Sequence, residues 1–591
     1  VNKEVRWRFT FVGASFAFVG LMIIFQMIRL QVSESARDLE KFDDPWYEEV
    51  IYPVRGQIFD RWGTLLAGSK VVYEVGLELN YIDLERGDLP KIAEVIHDYV
   101  GTKKKEIVTN ARVAIAENEE AEEGEGLVLL VVDDYVPADA AQRLEEYITQ
   151  YNDQTWNDAN APKLWAIQIS PHLARSYPEK DLASNILGFV SLMDGRGHFG
   201  VEEYYDGVLA GEPQVVKLSS NPNMVEEMRA IPPGTSLILT IDREIQATAE
   251  AIIDEAVDQM GADTGTIGIM DPRTGEILAI ATTPRLDLNE YWEYNEGYFP
   301  NRGVGYAYET GSVFKVLTMT MALNEDLVEA NTTYTDYGVL DVGGALIWNW
   351  DRNARGVVTM TDCLQYSLNT CLAQLGLDLT PVVFYRYMHE FGIGDPTYID
   401  LAGEDPGSLR DTNHPLWSWS DLGRNTFGQG VSSTVVQMLK AVSALANNGQ
   451  MVSPHLVKAM VVNGKQHDIQ IQSAGNPIAK KTARQITDML VVSLEKESSD
   501  ALVPGYTIAG KTGTGEIATE EGYTLEETNA SFVGWGPVDD PRFIVYVWLE
   551  KPKTDIWGSK TAAKVFSRMV ERLVVLMNLP PDELRLTLQG N

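Results

Sequence analysis

Gly311-Ser312-Val313-Phe314-Lys315-Val316-Leu317 is the stretch on which the reading of this 591-residue chain turns. A glycine precedes it and an apolar run from Val313 to Leu323 follows, so the pattern predicts a helix that begins at Ser312. Residues three apart share a helix face, which places the Lys315 amine beside the Ser312 hydroxyl. A serine hydroxyl attacks poorly until a base removes its proton. A buried lysine flanked by other cations can be neutral near pH 7 and act as that base. The helix N-terminus also favours negative charge developing at the serine and at the carbonyl it attacks. Taken alone the motif is weak, because about one or two S-x-x-K matches arise by chance in a chain of this length. A capping serine with a surface lysine accounts for most of them.

Two further segments give it weight. Ser367-Leu368-Asn369 follows an apolar pattern from Thr359 to Tyr366 and is expected at a helix end or turn. Its hydroxyl suits a proton relay between Lys315 or Lys511 and a leaving group, and Asn369 offers both an amide donor and an acceptor. Lys511-Thr512-Gly513-Thr514 continues Thr507-Ile508-Ala509-Gly510 and reads as an edge strand. Lys511 supplies fixed positive charge, and the Thr512 and Thr514 hydroxyls suit a substrate carboxylate. Gly513 lets the backbone come close to a ligand, and a substrate laid along this edge would extend the sheet. The backbone N–H groups of Ser312 and Thr514 are the candidate oxyanion donors. In this order the three motifs describe a covalent acyl-transfer site. Asp341, Asp351 and Cys363 form the one alternative set, for zinc. None of the seven histidines lies between 312 and 369, so no metal or other cofactor is expected.

The bulk numbers set the frame. The length implies two or three domains, and 45% hydrophobic residues is the composition of a folded protein. With 48 Lys and Arg against 85 Asp and Glu the net charge is −37, which argues against a nucleic-acid partner and against broad contact with an anionic membrane surface. Phe9 to Ile28 is uncharged and long enough to span a bilayer as a helix. Lys3, Arg6 and Arg8 precede it, so an uncleaved anchor with the N-terminus inside and the bulk outside the cytoplasm is expected. Cys363 and Cys371 flank Ser367. On one helix they would be about 12 Å apart, too far to bridge. A turn between them would permit a bridge, but two free buried thiols are the expectation.

Along the rest of the chain, residues 29 to about 50 read as a helical stalk. Val54 to Ala67 reads as a strand entering a hairpin, with Val71 to Leu79 as its partner. Helices are expected at Pro90–Val100 and Pro137–Tyr151, and a strand at Leu127–Val132. The acidic run Glu117–Gly126 reads as a solvated loop, and Gly195–Asp206 as a glycine-rich turn before a helix. A boundary falls near Pro232-Pro233-Gly234. Beyond it come strands at Ser236–Ile241, Gly265–Met270, Glu276–Thr282, Ser531–Val538 and Arg542–Leu549, and helices at Ile245–Met260 and Ala562–Met577. Strands at both ends with helices between them give an α+β class.

The motif trio resembles that of the penicillin-binding transpeptidases and class A β-lactamases. The run Arg55-Gly56-x-Ile58-x-Asp60-Arg61-x-Gly63 narrows the resemblance to class B penicillin-binding proteins. So does Gly197–Asp206, which departs by having Val201 where a leucine is usual. Leu239–Asp242, Asp271–Gly275, Gly428-Gln429-Gly430, Ala446–Gly449 and Phe532-Val533-Gly534 are also similar to that family. The resemblance implies a cytoplasmic stub and transmembrane anchor (1–30), an elongated mixed pedestal (31–230) and a transpeptidase domain (231–591). The last would pair an antiparallel sheet and flanking helices with a helical subdomain. It implies cross-linking of peptidoglycan stem peptides through an acyl-Ser312. Lys315 would be base, Ser367 relay and Asn369 orienter, with Lys511, Thr512, Gly513 and Thr514 around the donor carboxylate and β-lactams acting as mimics. Arg55, Gly56, Asp60 and Arg61 become candidate contacts for a polymerase of the SEDS type. No glycosyltransferase motif stands in 31–230. Two alternatives stay open: a D,D-carboxypeptidase or β-lactamase-type hydrolase, and an activating scaffold for a membrane polymerase.

Overall fold

The computed structural model describes residues 3–32, 46–120, 126–219, 231–497, 499–519 and 522–589. At its centre is a five-stranded sheet made of β1 (Thr264–Met270), β2 (Ile277–Thr283), β3 (Ala509–Thr519), β4 (Gly522–Gly536) and β5 (Phe543–Glu550). The order across the sheet is β2-β1-β5-β4-β3, and every neighbouring pair is antiparallel. β1 and most of β5 are buried on both faces, which is why they read as nearly continuous apolar runs rather than as alternation. β3 lies at an edge, as its sequence suggested.

Helices close both faces. On one face lie α1 (Arg243–Met260) and the helix Ala562–Leu576. Ile253 of the first and Phe566, Met569 and Leu573 of the second share a core with Ile267 and Val545. Asp242 starts α1 by accepting the Glu244 and Ile245 N–H groups as its N-cap. The other face carries the long insertion between β2 and β3. Phe314, Leu317, Leu372 and Leu439 pack there against Trp535 and Tyr546. The insertion supplies α2 (Lys315–Asn324), entered through a 3₁₀ turn at Gly311–Phe314, then α3 (Met360–Gln365) and α4 (Asn369–Glu390).

The cysteines are bridged. Cys363 on α3 and Cys371 on α4 form a disulfide with Cα atoms 6.2 Å apart. The expectation of two free thiols fails because Ser367, in the left-handed region at φ 52°, breaks the helix between them. The chain turns back within eight residues, and a Cα separation that a single helix forbids becomes one a disulfide accepts.

Residues 54–210 belong to the same compact unit as residues 234–591. A seven-stranded sheet runs through this unit, and Ile58–Phe59 pairs with Ser236–Leu239 on one side and Leu65–Glu78 on the other. Helices Asp88–Val100, Lys104–Glu120 and Ala138–Thr155 pack Ile92, Ile96, Ile107, Ala111 and Leu144 around Val75 and Leu77. The acidic run expected as a loop is helical as far as Glu120, while 121–125 fall outside the described residues. Ile107, Ala111 and Ala114 are buried at helical spacing, and this apolar stripe outweighs the polar composition.

Residues 1–53 and 211–233 form a second unit. Within it a helix spans Lys3–Val32, and its segment Phe11–Arg29 is long and apolar enough to cross a membrane. The stalk expected over 29–50 is corrected in part. The helix ends at Val32, residues 33–45 fall outside the described set, and Trp46–Ile51 is a strand paired with Gln214–Ser219. That partner lies far along the chain, so local periodicity carried no sign of it.

Candidate active site

Two glycines bring the motifs together. Gly311 has φ 59°, and a Cβ there would stand 2.6 Å from the Thr514 carbonyl oxygen. Gly513 of β3 sits against Val313, where a Cβ would come within 2.5 Å of Cγ2. The turn that carries Ser312 is therefore seated directly on the edge strand.

Lys315 is fully buried behind Ser312. Its Nζ donates to Ser367 Oγ at 2.9 Å, to the Ser367 carbonyl at 2.7 Å and to Asn369 Oδ1 at 2.7 Å. The same left-handed turn that permits the disulfide presents both the hydroxyl and the carbonyl of Ser367 to the amine. Asn369 is anchored on its other side, with Nδ2 donating to the Trp348 carbonyl at 2.9 Å. The ring of Phe427 lies 6.0 Å from the Lys315 amine. A polar amine held this deep needs the three oxygens that surround it.

Ser312, Ser367, Asn369, Thr512 and Thr514 all line one cleft of about 650 Å³. Lys511 is buried beneath it, with Nζ donating to Thr512 Oγ1 at 3.1 Å. Thr512, Thr514 and Glu516 share the cleft face of β3, as strand alternation requires. The Thr514 hydroxyl accepts the Gly558 N–H at 3.1 Å and keeps its own proton to donate. All the catalytic and carboxylate-binding candidates thus converge, with Gly513 as the backbone seat. Ser312 and Thr514, the two expected oxyanion donors, come from the Gly311–Phe314 turn and from the strand on which it is seated.

The sequence reading missed the rim. Trp348 and Trp350 rise from one wall and Trp557 from the other, and the Trp350 and Trp557 rings meet edge to face at 5.2 Å. Trp350 Nε1 donates to the Tyr366 carbonyl at 3.2 Å. Gln429, Arg424 and Glu516 also line the cleft, and Gln429 Nε2 donates to Glu516 at 2.9 Å. The Trp-Asn-Trp spacing in a polar loop was the available signal.

Arg55, Gly56, Asp60 and Arg61 are occupied within the chain. Arg55 donates to Glu202 at 2.8 Å and Asp206 at 2.7 Å, and Arg175 donates to Glu202 at 2.6 Å and to the Gly56 carbonyl at 2.7 Å. Asp60 accepts the N–H groups of Trp62 and Thr64, and Arg61 reaches Glu276 at 3.1 Å. Trp62, beside them, is three-quarters exposed. The three members of the zinc alternative are each engaged elsewhere. Cys363 is in the disulfide, Asp351 pairs with Arg355 at 2.6 Å, and Asp341 accepts the Gly344 N–H.

Both halves of the chain are similar to known proteins. The penicillin-binding protein transpeptidase domain matches residues 265–571, and the penicillin-binding protein dimerisation domain matches residues 50–235. Stage V sporulation protein D of Bacillus subtilis is 29% identical over 98% of this chain and 87% of its own length. The probable peptidoglycan D,D-transpeptidase PbpC of Pseudomonas aeruginosa is 26% identical over 99% of this chain and 98% of its own. Among solved structures, penicillin binding protein 2X of Streptococcus thermophilus shares the fold. Its TM-score is 0.71 at 22% identity, covering 90% of this chain and 80% of that one.

Proposed function

This chain belongs to the class B penicillin-binding proteins, and from that membership we propose that it is a peptidoglycan D,D-transpeptidase working through an acyl-Ser312. The observation that carries the reading is the buried Lys315 amine. It is held by Ser367 and Asn369 at the floor of a cleft that opens at Ser312 and runs along β3.

In its neutral form Lys315 takes the Ser312 proton while Oγ bonds to the carbonyl carbon of the penultimate D-alanine of a stem peptide. The oxyanion so formed is met by the Ser312 and Thr514 N–H groups. The proton passes by way of Ser367 to the amide nitrogen, the C–N bond breaks, and D-alanine leaves with its carboxylate released from Lys511, Thr512 and Thr514. An amine on a neighbouring stem then attacks the ester, loses its proton to the same base, and restores Ser312. A β-lactam would open by the first half of this sequence and stay bound.

The same reading assigns residues 1–30 to a cytoplasmic stub and single anchor, 31–230 to a pedestal and 231–591 to the transpeptidase, with the bulk outside the cytoplasm. The apolar span at Phe11–Arg29 supports the anchor. The dimerisation-domain match and the exposed Trp62 support a pedestal that docks on a partner, for which we propose a SEDS-type membrane polymerase.

Labelling with a fluorescent penicillin tests the reading. The wild type should give a long-lived band that Ser312→Ala abolishes. Label lost within minutes would identify a hydrolase. A folded wild type that takes no label would contradict the acyl-serine mechanism.

A further inference from the structure

Behind the wall that carries Trp348 and Trp350 lies a buried carboxylate to which the proposed reaction gives no part. Asp336 ends the strand Thr333–Asp336 and is 1% exposed. Four donors converge on it. Its Oδ1 accepts the Gly338 N–H at 3.0 Å, the Thr370 hydroxyl at 2.8 Å and the Asn349 amide at 3.0 Å. Its Oδ2 accepts the Arg355 N–H at 2.8 Å and the same Asn349 amide at 2.9 Å. All four donors are neutral groups, so the side chain ties pieces of chain together and pairs with no cation through them. Burying a carboxyl costs free energy unless its oxygens are filled, and here both are filled.

Asn349 and Thr370 are buried too, and Asn349 Oδ1 accepts the Thr370 N–H at 3.3 Å. The loop 349–355 is wrapped on the same group, because Asn349 Nδ2 also donates to the Asn353 carbonyl at 3.2 Å. Gly338, at φ 78°, leaves no room for a Cβ, which would stand 2.9 Å from the Ala354 nitrogen.

The neighbours of these two residues give the knot its consequence. Asn349 follows Trp348, whose carbonyl accepts Asn369 Nδ2, and Thr370 follows Asn369 itself. Both ends of that hydrogen bond are therefore one residue away from a group that Asp336 holds. With Nδ2 fixed on Trp348, the Asn369 amide turns its Oδ1 to the Lys315 amine at 2.7 Å. The flipped amide would set two donors against each other.

We propose that Asp336 is a positioning residue for acyl transfer: it holds Asn349 and Thr370 so that Asn369 keeps its oxygen on the Lys315 amine. The proposal rests on the acyl-serine reading of Ser312 and Lys315. Asp336 does not line the cleft and acts through Asn369.

The test is a double-mutant cycle on the full chain in detergent. The readout is the second-order rate constant for acylation by a fluorescent penicillin, with the melting temperature measured alongside. Asp336→Asn keeps the shape but puts an amide N–H2 where donors converge. It should slow acylation about ten- to a hundredfold at temperatures where the variant is folded, the scale of a misplaced catalytic group. Asn369→Ala should slow it as well. Adding Asp336→Asn to Asn369→Ala should change the rate by less than about twofold, because the two act in one chain of contacts, while the melting temperature still drops. Thr370→Val removes one link to Asp336 at nearly constant volume and should slow acylation by less, in the same direction. It carries the test if Asp336→Asn does not fold. Folded variants that acylate at the wild-type rate, with only the melting temperature lowered, would overturn the proposal. So would rate losses at Asp336 and Asn369 that multiply in the double variant. If the wild type itself takes no label, the acyl-serine reading falls and this inference with it.

Discussion

Two buried charge clusters in this molecule are built from the same materials to opposite ends. Around Glu202, which is fully buried, Arg55 and Arg175 occupy both carboxylate oxygens, and Arg175 reaches on to the Gly56 carbonyl. Around Lys315, also fully buried, two oxygens of Ser367 and one of Asn369 occupy the amine. The first cluster is closed on every side by protein and joins three distant segments of the chain. The second forms the floor of a cleft, with the hydroxyl proposed as nucleophile within the same four-residue motif. Closure suits the first group to fastening, and an opening onto solvent suits the second to the role proposed for it.

Substitution separates the two roles. Lys315→Met keeps the volume and removes the amine. Penicillin acylation should fall by about a thousandfold, in the range of a lost general base, while the melting temperature should hold or rise, because a buried charge is replaced by an apolar chain. Equal losses of rate and stability would erase the distinction. Glu202→Gln should do the reverse. It leaves the buried Arg175 guanidinium without its carboxylate, while Arg55 keeps Asp206, and should cost about 3–5 kcal/mol in chemical denaturation, while the folded fraction still labels with penicillin. The comparison would break if that variant were as stable as the wild type.

The disulfide sharpens the account of the open cluster. Cys363 and Cys371 brace the turn that presents Ser367 to Lys315. Replacing both by serine should cost about 2–3 kcal/mol, the entropy of a short closed loop, and should slow acylation as well, because the relay is no longer held. Loss of stability with an unchanged acylation rate would show that α3 and α4 position Ser367 without the bridge.

The smallest effect concerns Glu250, where burial pushes the carboxyl up to about 7 against the pull of Arg285. It accepts the Ala183 N–H at 2.9 Å and the Gln246 amide at 2.8 Å. A carboxyl with a raised folded pKa contributes stability that is fully present below its unfolded value near 4.5 and is lost as pH rises through 7. Glu250→Gln should therefore be nearly neutral at pH 5 and stabilising by roughly 1–3 kcal/mol at pH 8. A denaturation series across that range checks the sign.

Much of the site was legible because its chemistry is written in short motifs whose spacing a helix or strand translates directly. Ser312 and Lys315 fall on one face, and Thr512 and Thr514 on one strand side. The strands β1, β2 and β5 announced themselves as apolar runs between turn signals. What stayed hidden was non-local. Trp46–Ile51 is a strand because of a partner far along the chain. The disulfide depends on the backbone sign of one serine, which no side-chain pattern reveals. The helix Lys104–Glu120 was obscured by its own charge, since three buried positions hold it in place. Trp350 and Trp557 of the rim come from loops, where sequence gives composition but not direction.

In the proposed reaction Ser312 carries the acyl group. Peptide mapping by mass spectrometry after incubation with penicillin tests it most directly. One adduct is expected, on the peptide that contains Ser312, absent when Ser312 is alanine. An adduct on Ser367 or any other residue, or an unmodified chain that still releases D-alanine from a donor peptide, would contradict it.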